Sequence, residues 1–302
     1  MPESPREWDN ITIMACWHSR YRLGDSIRDK EPEDFWRRLV RENMPESEVY
    51  AMAEAGLLNG IRIEKHEDDP ELVDIYETVR WLTVIGKCEP KESLGHKGVN
   101  KDYAICYLLD DLTIQHCMTL LDGYAEWMPL RLYDHSGLTI SCGSKSGQYA
   151  NRWDSGCVGW IVALKKTVMA ETVEYVLDEN GERIREEHKQ EGYPPTWGYK
   201  TRPLTDATWR KRAAEVMQDD VKIYDQHLAG DVFGFTLYEA DPPADDDEPE
   251  WAETDSRWGF YGSDGIESGI CDHVGSGLME AIQSGEYETG KAVLRADSYY
   301  TF

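Results

Sequence analysis

The sequence predicts an α+β fold: a mainly antiparallel sheet with helices packed on one face, plus a helical portion in the N-terminal half. Three observations carry that expectation. Most apolar, β-branched or aromatic runs follow one another through Asp, Asn and Gly turns rather than through crossover helices, which favours antiparallel over parallel pairing. Three segments between residues 32 and 79 read as helices. Residues 205–228 read as the best helix in the chain, with Trp209, Ala213, Val216, Val221, Tyr224 and Leu228 on one face and Gly230 at the end.

In order, residues 11–18 read as a buried strand and 32–42 as a helix. Pro32 and acids open that helix, and Phe35, Leu39 and Val40 share a face. Residues 47–58 read as a second helix ending before Asn59-Gly60, and 70–79 as a third whose acids crowd the first turn. Strands at 129–133 and 138–142 flank the turn Asp134-His135-Ser136-Gly137, and 157–164 is a further apolar strand. Residues 172–177 and 182–186 form a hairpin around Asp178-Glu179-Asn180-Gly181, followed by a long loop at 190–202. Strands at 232–238 and 257–261 form a hairpin whose tip, 241–250, holds six acids in ten residues. A short helix at 274–283 follows. The expectation is one α+β domain over 1–302, with a helical subdomain at about 30–125 and an acidic loop at 241–250.

Apolar residues make up 40% of the 302, enough to bury a sizeable core. Eleven Trp and seventeen Tyr against five Phe favour half-buried faces and binding surfaces, because Trp and Tyr each carry a polar end. The formal charge of −26 repels nucleic acid and anionic membranes and suits a basic partner, although solubility alone accounts for such a balance. The start of the chain is polar and does not read as a signal peptide, and no apolar stretch approaches the roughly 20 residues of a membrane span. The seven Cys include no C-x-x-C pair, so a disulfide framework is not expected and a reducing cytoplasm is.

Five residues carry the chemistry of an enzyme reading: His18, Asp25, Asp134, His135 and Asp154. His135 is the first candidate base, because imidazole titrates near neutral pH. A turn that favours Asp, Ser and Gly accounts for the Asp134–Gly137 string without catalysis, and a turn accounts for Asp154 in Trp153-Asp154-Ser155-Gly156. Cys16 with His18 and Cys271 with His273 have the ligand types of a zinc site, but the C-x-H spacing is unusual for one. No metal site and no cofactor is expected. Carboxylate ligands would suit Mg²⁺ or Mn²⁺ if the chain were an enzyme. No Walker A, Rossmann or H-E-x-x-H string occurs.

A set of strings spans most of the chain. They are Pro5 to Asn10, Cys16-Trp17-His18 through Arg20-Tyr21 and Leu23-Gly24-Asp25, Leu130 through Leu132-Tyr133-Asp134-His135-Ser136-Gly137, and Trp153-Asp154-Ser155-Gly156 with Val158-Gly159-Trp160. Further on come Tyr224-Asp225 with Leu228, Gly230-Asp231-Val232 with Gly234, and Asp255-Ser256 with Trp258-Gly259-Phe260-Tyr261-Gly262. In these strings the chain resembles uncharacterised proteins of bacteriophages, prophages and related mobile elements. Segments 172–200 and 241–250 look longer than that pattern. The resemblance implies an accessory protein of such an element and supplies no reaction.

The preferred reading is an acidic accessory protein that binds and inhibits a host defence protein with a basic surface, such as a nuclease, by charge complementarity or DNA mimicry. It would act in the host cytoplasm, without direct nucleic-acid or membrane binding. Its candidate surface is Glu67, Asp68 and Asp69, Asp219 and Asp220, and Asp245, Asp246, Asp247 and Glu248, with Trp153 and Trp258 as aromatic contacts. The alternatives are a metal-dependent hydrolase of nucleotides or nucleic acid, and a sponge that stacks a small nucleotide between Trp153, Trp160, Trp258 and Tyr261, with Arg20 or Arg257 for its charge.

Overall fold

A computed structural model describes residues 3–80, 90–134, 137–143, 156–188, 196–240, 251–262, 264 and 267–274. After a 3₁₀ turn at Pro5–Glu7 come β1 (Thr12–Cys16), α1 (Pro32–Asn43), α2 (Glu46–Glu54), β2 (Ile61–Lys65), β3 (Val73–Arg80) and β4 (Pro90–Val99). Next are α3 (Lys101–Asp111), α4 (Ile114–Leu120), β5 (Ala125–Asp134), β6 (Leu138–Cys142), β7 (Cys157–Leu164) and α5 (Lys165–Glu171). The remainder is β8 (Val173–Tyr175), β9 (Arg185–His188), β10 (Thr196–Tyr199), β11 (Thr201–Pro203), α6 (Trp209–Ala229), β12 (Val232–Ala240), β13 (Trp251–Tyr261) and α7 (Cys271–Val274). The class is α+β, with antiparallel pairing throughout the registered strands.

The chain forms two compact units. One is built from Met1–Cys16, Met128–Ile161 and Glu215–Phe302, the other from Trp17–Trp127 and Val162–Ala214.

The first unit contains most of a four-stranded sheet of order β1-β7-β5-β6. β7 is buried along nearly its whole length, as its unbroken apolar sequence requires. Gly159 lets β7 approach β1, because a Cβ there would sit 1.9 Å from the Ala15 carbonyl oxygen. β5 and β6 pair from Leu130↔Cys142 to Asp134↔Leu138. β12 and β13 form a separate two-stranded ribbon.

The second unit holds α1 to α5, the sheet β2-β3-β4 and the β8–β11 hairpins. α1 starts at Pro32 with Glu33 and Asp34 in its first turn and buries Phe35, Trp36, Leu39 and Val40. Asn100 caps α3 by accepting the Tyr103 N–H, and Thr113 with His116 makes a capping box on α4.

Four expectations are corrected. Residues 70–79 are mostly strand, not helix: β3 is the central strand between β2 and β4, and its β-branched Val73 and Ile75 fit a ladder better than the acids at 71 and 74 fit a helix start. The segment 30–125 is therefore mixed rather than helical. α2 stops at Glu54 because Gly56 adopts a φ of 72°, four residues before the predicted end. The long loop at 190–202 carries β10 and β11, whose partners are the arms of the preceding hairpin. Most of the helix expected at 274–283 lies outside the described residues.

Candidate functional site

The ribbon β12–β13 is the most distinctive surface of the first unit. Its register runs from Val232↔Tyr261 to Ala240↔Trp251, with two interruptions. Gly259, with φ 99°, is the extra residue between Phe260 and Trp258, and Thr254 is the extra residue between Asp255 and Glu253. Residues directly opposite share a face. Gly234↔Trp258, Thr236↔Ser256, Tyr238↔Glu253 and Ala240↔Trp251 lie on one side; Phe233↔Phe260, Phe235↔Arg257 and Leu237↔Asp255 lie on the other.

The second side is covered at its base. Phe235 is buried, and the His273 ring lies against Phe235 and Phe260. The first side keeps Tyr238, Trp251 and Trp258 exposed at 47%, 48% and 51%. Three large aromatics on one side of a ribbon, with Glu253 among them, make an amphipathic surface of the kind that seats a partner. The chain that joins the two strands carries Asp241, Asp245, Asp246, Asp247, Glu248 and Glu250.

The root of the ribbon is fixed by part-buried polar contacts. The Tyr261 hydroxyl donates to the Glu3 carbonyl at 3.1 Å, and Trp8 meets the Tyr261 ring edge-on at 5.5 Å. Gly262 donates its N–H to the Asp231 carbonyl, and a Cβ at 262 would lie 2.5 Å from the Gln226 side chain. Asp225 on α6 accepts the outward N–H of Ile140 at 2.6 Å, so a carboxylate satisfies the open edge of β6. Burial pushes the Asp225 carboxyl above its usual range, opposed by that hydrogen bond, and nearby Asp231 adds to the rise. His227 lies between the rings of Tyr224 and Tyr261, and its Nδ1 is buried without a hydrogen-bond partner among the described residues; burial holds its pKa down.

The predicted residues divide as follows. His135, Asp154, Trp153, Asp245, Asp246, Asp247 and Glu248 lie outside the described residues. Asp134 is exposed at the end of β5 in the first unit. His18 and Asp25 belong to the second unit. The His18 Nδ1 accepts the backbone N–H groups of Arg20 and Tyr21, and its ring stacks on Tyr21, so the imidazole closes a local turn. Asp25 is half-buried after Gly24, whose φ is 67°.

Glu67, Asp68 and Asp69 are exposed in the β2–β3 connection. Asp69 accepts the Glu71 N–H, and Asp68 stands 3.8 Å from the Nε2 of His66. His66 in turn meets Asp74 at 2.9 Å. The Gly98 N–H donates to Asp74 and, with His66, holds its carboxyl below the usual range. Asp220 is not a surface acid. It is ion-paired at 3.2 Å to Arg6, whose side chain is buried, and it accepts the Thr12 hydroxyl. Trp160 is 4% and Tyr261 9% exposed, and the Tyr261 hydroxyl donates to the Glu3 carbonyl. Arg257 is drawn to Asp255 and donates to the Nδ1 of His273, which uses that histidine for packing. Among the described residues no group of three or more His, Cys, Asp or Glu is placed to hold a metal ion, and no helix is long and apolar enough to cross a membrane.

The sequence pointed to Trp258 but not to the company it keeps. Tyr238 and Trp251 were legible only through the period-2 alternation of two strands whose register has two bulges. Comparison of the chain with protein-family models, with curated proteins and with solved structures finds no match in any of the three.

Proposed function

We propose that the chain is an accessory protein of a phage or mobile element that binds and inhibits a host defence protein bearing a basic surface, with the β12–β13 ribbon as its working part. One observation carries the reading. An exposed two-stranded ribbon presents Tyr238, Trp251, Trp258 and Glu253 on one face and is joined by a segment with six acids. An isolated two-stranded ribbon is marginal in water unless something covers it. Exposed Trp and Tyr are the residue types that anchor interfaces. Acids around them speed encounter with a cationic partner and repel nucleic acid, in keeping with the −26 charge. The basic groove of a nuclease fits that chemistry.

The test is association kinetics with a captured partner. Replacing Asp245, Asp246, Asp247 and Glu248 with their amides slows association and flattens its salt dependence. Trp258→Ala with Trp251→Ala speeds dissociation. Unchanged kinetics in both variants would remove the ribbon from the interface.

A further inference from the structure

A second surface lies in the other compact unit, on the β8–β11 hairpins. Asp178 sets their first turn: its carboxylate accepts the N–H groups of Asn180 and Glu182, and its carbonyl accepts that of Gly181. The turn places Arg183 opposite Leu177, while Arg185 pairs with Tyr199 and Tyr175 with Thr201. Opposite residues share a face, so Tyr175, Leu177, Arg183, Arg185 and Tyr199 come together.

The geometry agrees. The Arg183 guanidinium lies 4.2 Å from the centre of the Tyr175 ring and 5.7 Å from that of Tyr199, and the Arg185 guanidinium is also 5.7 Å from Tyr199. The two tyrosines meet edge-on at 5.8 Å. Both arginines, Tyr199 and Leu177 are exposed.

In a chain of charge −26, an exposed arginine would be expected to find a carboxylate. Arg202 does, in a two-point contact with Glu174 at 2.9 Å for each bond. Arg183 and Arg185 do not: among the described residues their partners are the two aromatic rings and no carboxylate lies within ion-pair range. A guanidinium stacked on a ring is held in orientation while its in-plane N–H donors stay available. Two such groups sharing one tyrosine form a clamp for an oxyanion, and planar two-point donation suits phosphate. Leu177 adds apolar surface beside the clamp. Glu187 shares the strand face two residues from Arg185, and the field of the whole chain is negative, so a single phosphate is accommodated and a polyanion is not.

We propose that Arg183 and Arg185, positioned by Tyr175 and Tyr199, bind the phosphate of a small organic phosphate monoester, for which a nucleoside 5′-monophosphate serves as the probe. The site uses none of the ribbon's residues, and its failure leaves the ribbon reading untouched.

The experiment is an NMR or calorimetric titration of the intact chain with four probes: a nucleoside 5′-monophosphate, the matching nucleoside, inorganic phosphate, and a short single-stranded oligonucleotide. The expected result is saturable binding of the monophosphate, weaker binding of inorganic phosphate and none of the nucleoside. Arg183→Ala with Arg185→Ala weakens monophosphate binding at least tenfold with the melting profile unchanged. Arg183→Lys with Arg185→Lys, which keeps charge and fold, gives an intermediate loss because the two-point geometry is gone. Absence of saturable monophosphate binding up to about 10 mM, nucleoside binding as tight as that of the monophosphate, or a preference for the oligonucleotide would each overturn the proposal. So would unaltered affinity in the lysine pair.

Discussion

The indole of Trp258 lies so close over Gly234 that a Cβ at residue 234 would sit 2.3 Å from two of its ring carbons. The two residues are register partners across the ribbon. A glycine opposite a large aromatic lets the ring fold across the strand and cover backbone that would otherwise face water. Trp258 therefore stays exposed on its outer face while its inner face is fixed.

Gly234→Ala accordingly disturbs the ribbon. The new methyl also lies 2.7 Å from the Arg257 carbonyl, a backbone atom that cannot swing away. We expect a cost of about 1–3 kcal/mol, read as faster hydrogen exchange along β12 and β13 and altered tryptophan fluorescence.

Gly159 is more demanding, because the three atoms nearest its missing Cβ all belong to the backbone of β1. Gly159→Ala separates β1 from β7 in the buried sheet and lowers stability by about 3 kcal/mol or more. Chemical denaturation measures this directly.

Asp225 separates charge from hydrogen bonding. Its carboxylate is desolvated, yet it satisfies the Ile140 N–H. Asp225→Asn keeps an acceptor and removes the half-buried charge, so the variant is at least as stable as the parent at neutral pH. Asp225→Leu leaves the Ile140 N–H without an acceptor and costs about 1–3 kcal/mol. The raised carboxyl also has a sign. Between the unfolded value and the higher folded value the native state binds more protons, so this group's contribution to stability grows as pH falls through that window.

His227 acts in the opposite direction. Its folded pKa is depressed by burial, opposed by Glu7, so below about pH 6.5 the unfolded chain takes up a proton that the folded chain resists. Stability falls as pH drops from that value toward the lower folded one. His227→Phe keeps the stacking on Tyr224 and the tilted contact with Tyr261 and removes the buried Nδ1, which flattens thermal stability against pH in that range.

Much of the fold was legible because local signals agreed with the final packing. Pro32 with its acids, Phe35, Leu39 and Val40 specify α1 unaided, and the run at 157–164 is a buried strand on apolar content alone. β3 reads as a helix because Glu71 and Asp74 imitate an acidic first turn, while its true determinant is pairing with β2 and β4 on both sides. β10 and β11 were missed for the same reason: Thr196–Pro203 has strand character only because the 172–188 arms offer it partners.

The site was legible in part. The acidic tip and Trp258 are visible in composition, but Asp220 looked like a surface acid until its contact with the buried Arg6 was known. Pairing between residues 6 and 220 leaves no trace at short range in a sequence. The glycines of the Trp258–Gly262 string, which mark a bulge and a close approach to Gln226, gain their meaning only from register.

The measurement that tests the central claim most directly is capture of the intact chain's partner from host lysate, followed by the affinity of the purified pair across a salt series. Parent, tip-amide and Trp251→Ala/Trp258→Ala proteins are compared. The account predicts a stoichiometric defence protein with a basic surface, affinity that falls steeply with salt for the parent and less steeply for the tip-amide variant, and faster dissociation without the two tryptophans. A partner whose affinity is indifferent to salt and to all these substitutions, or no stoichiometric partner at any salt concentration, would contradict it.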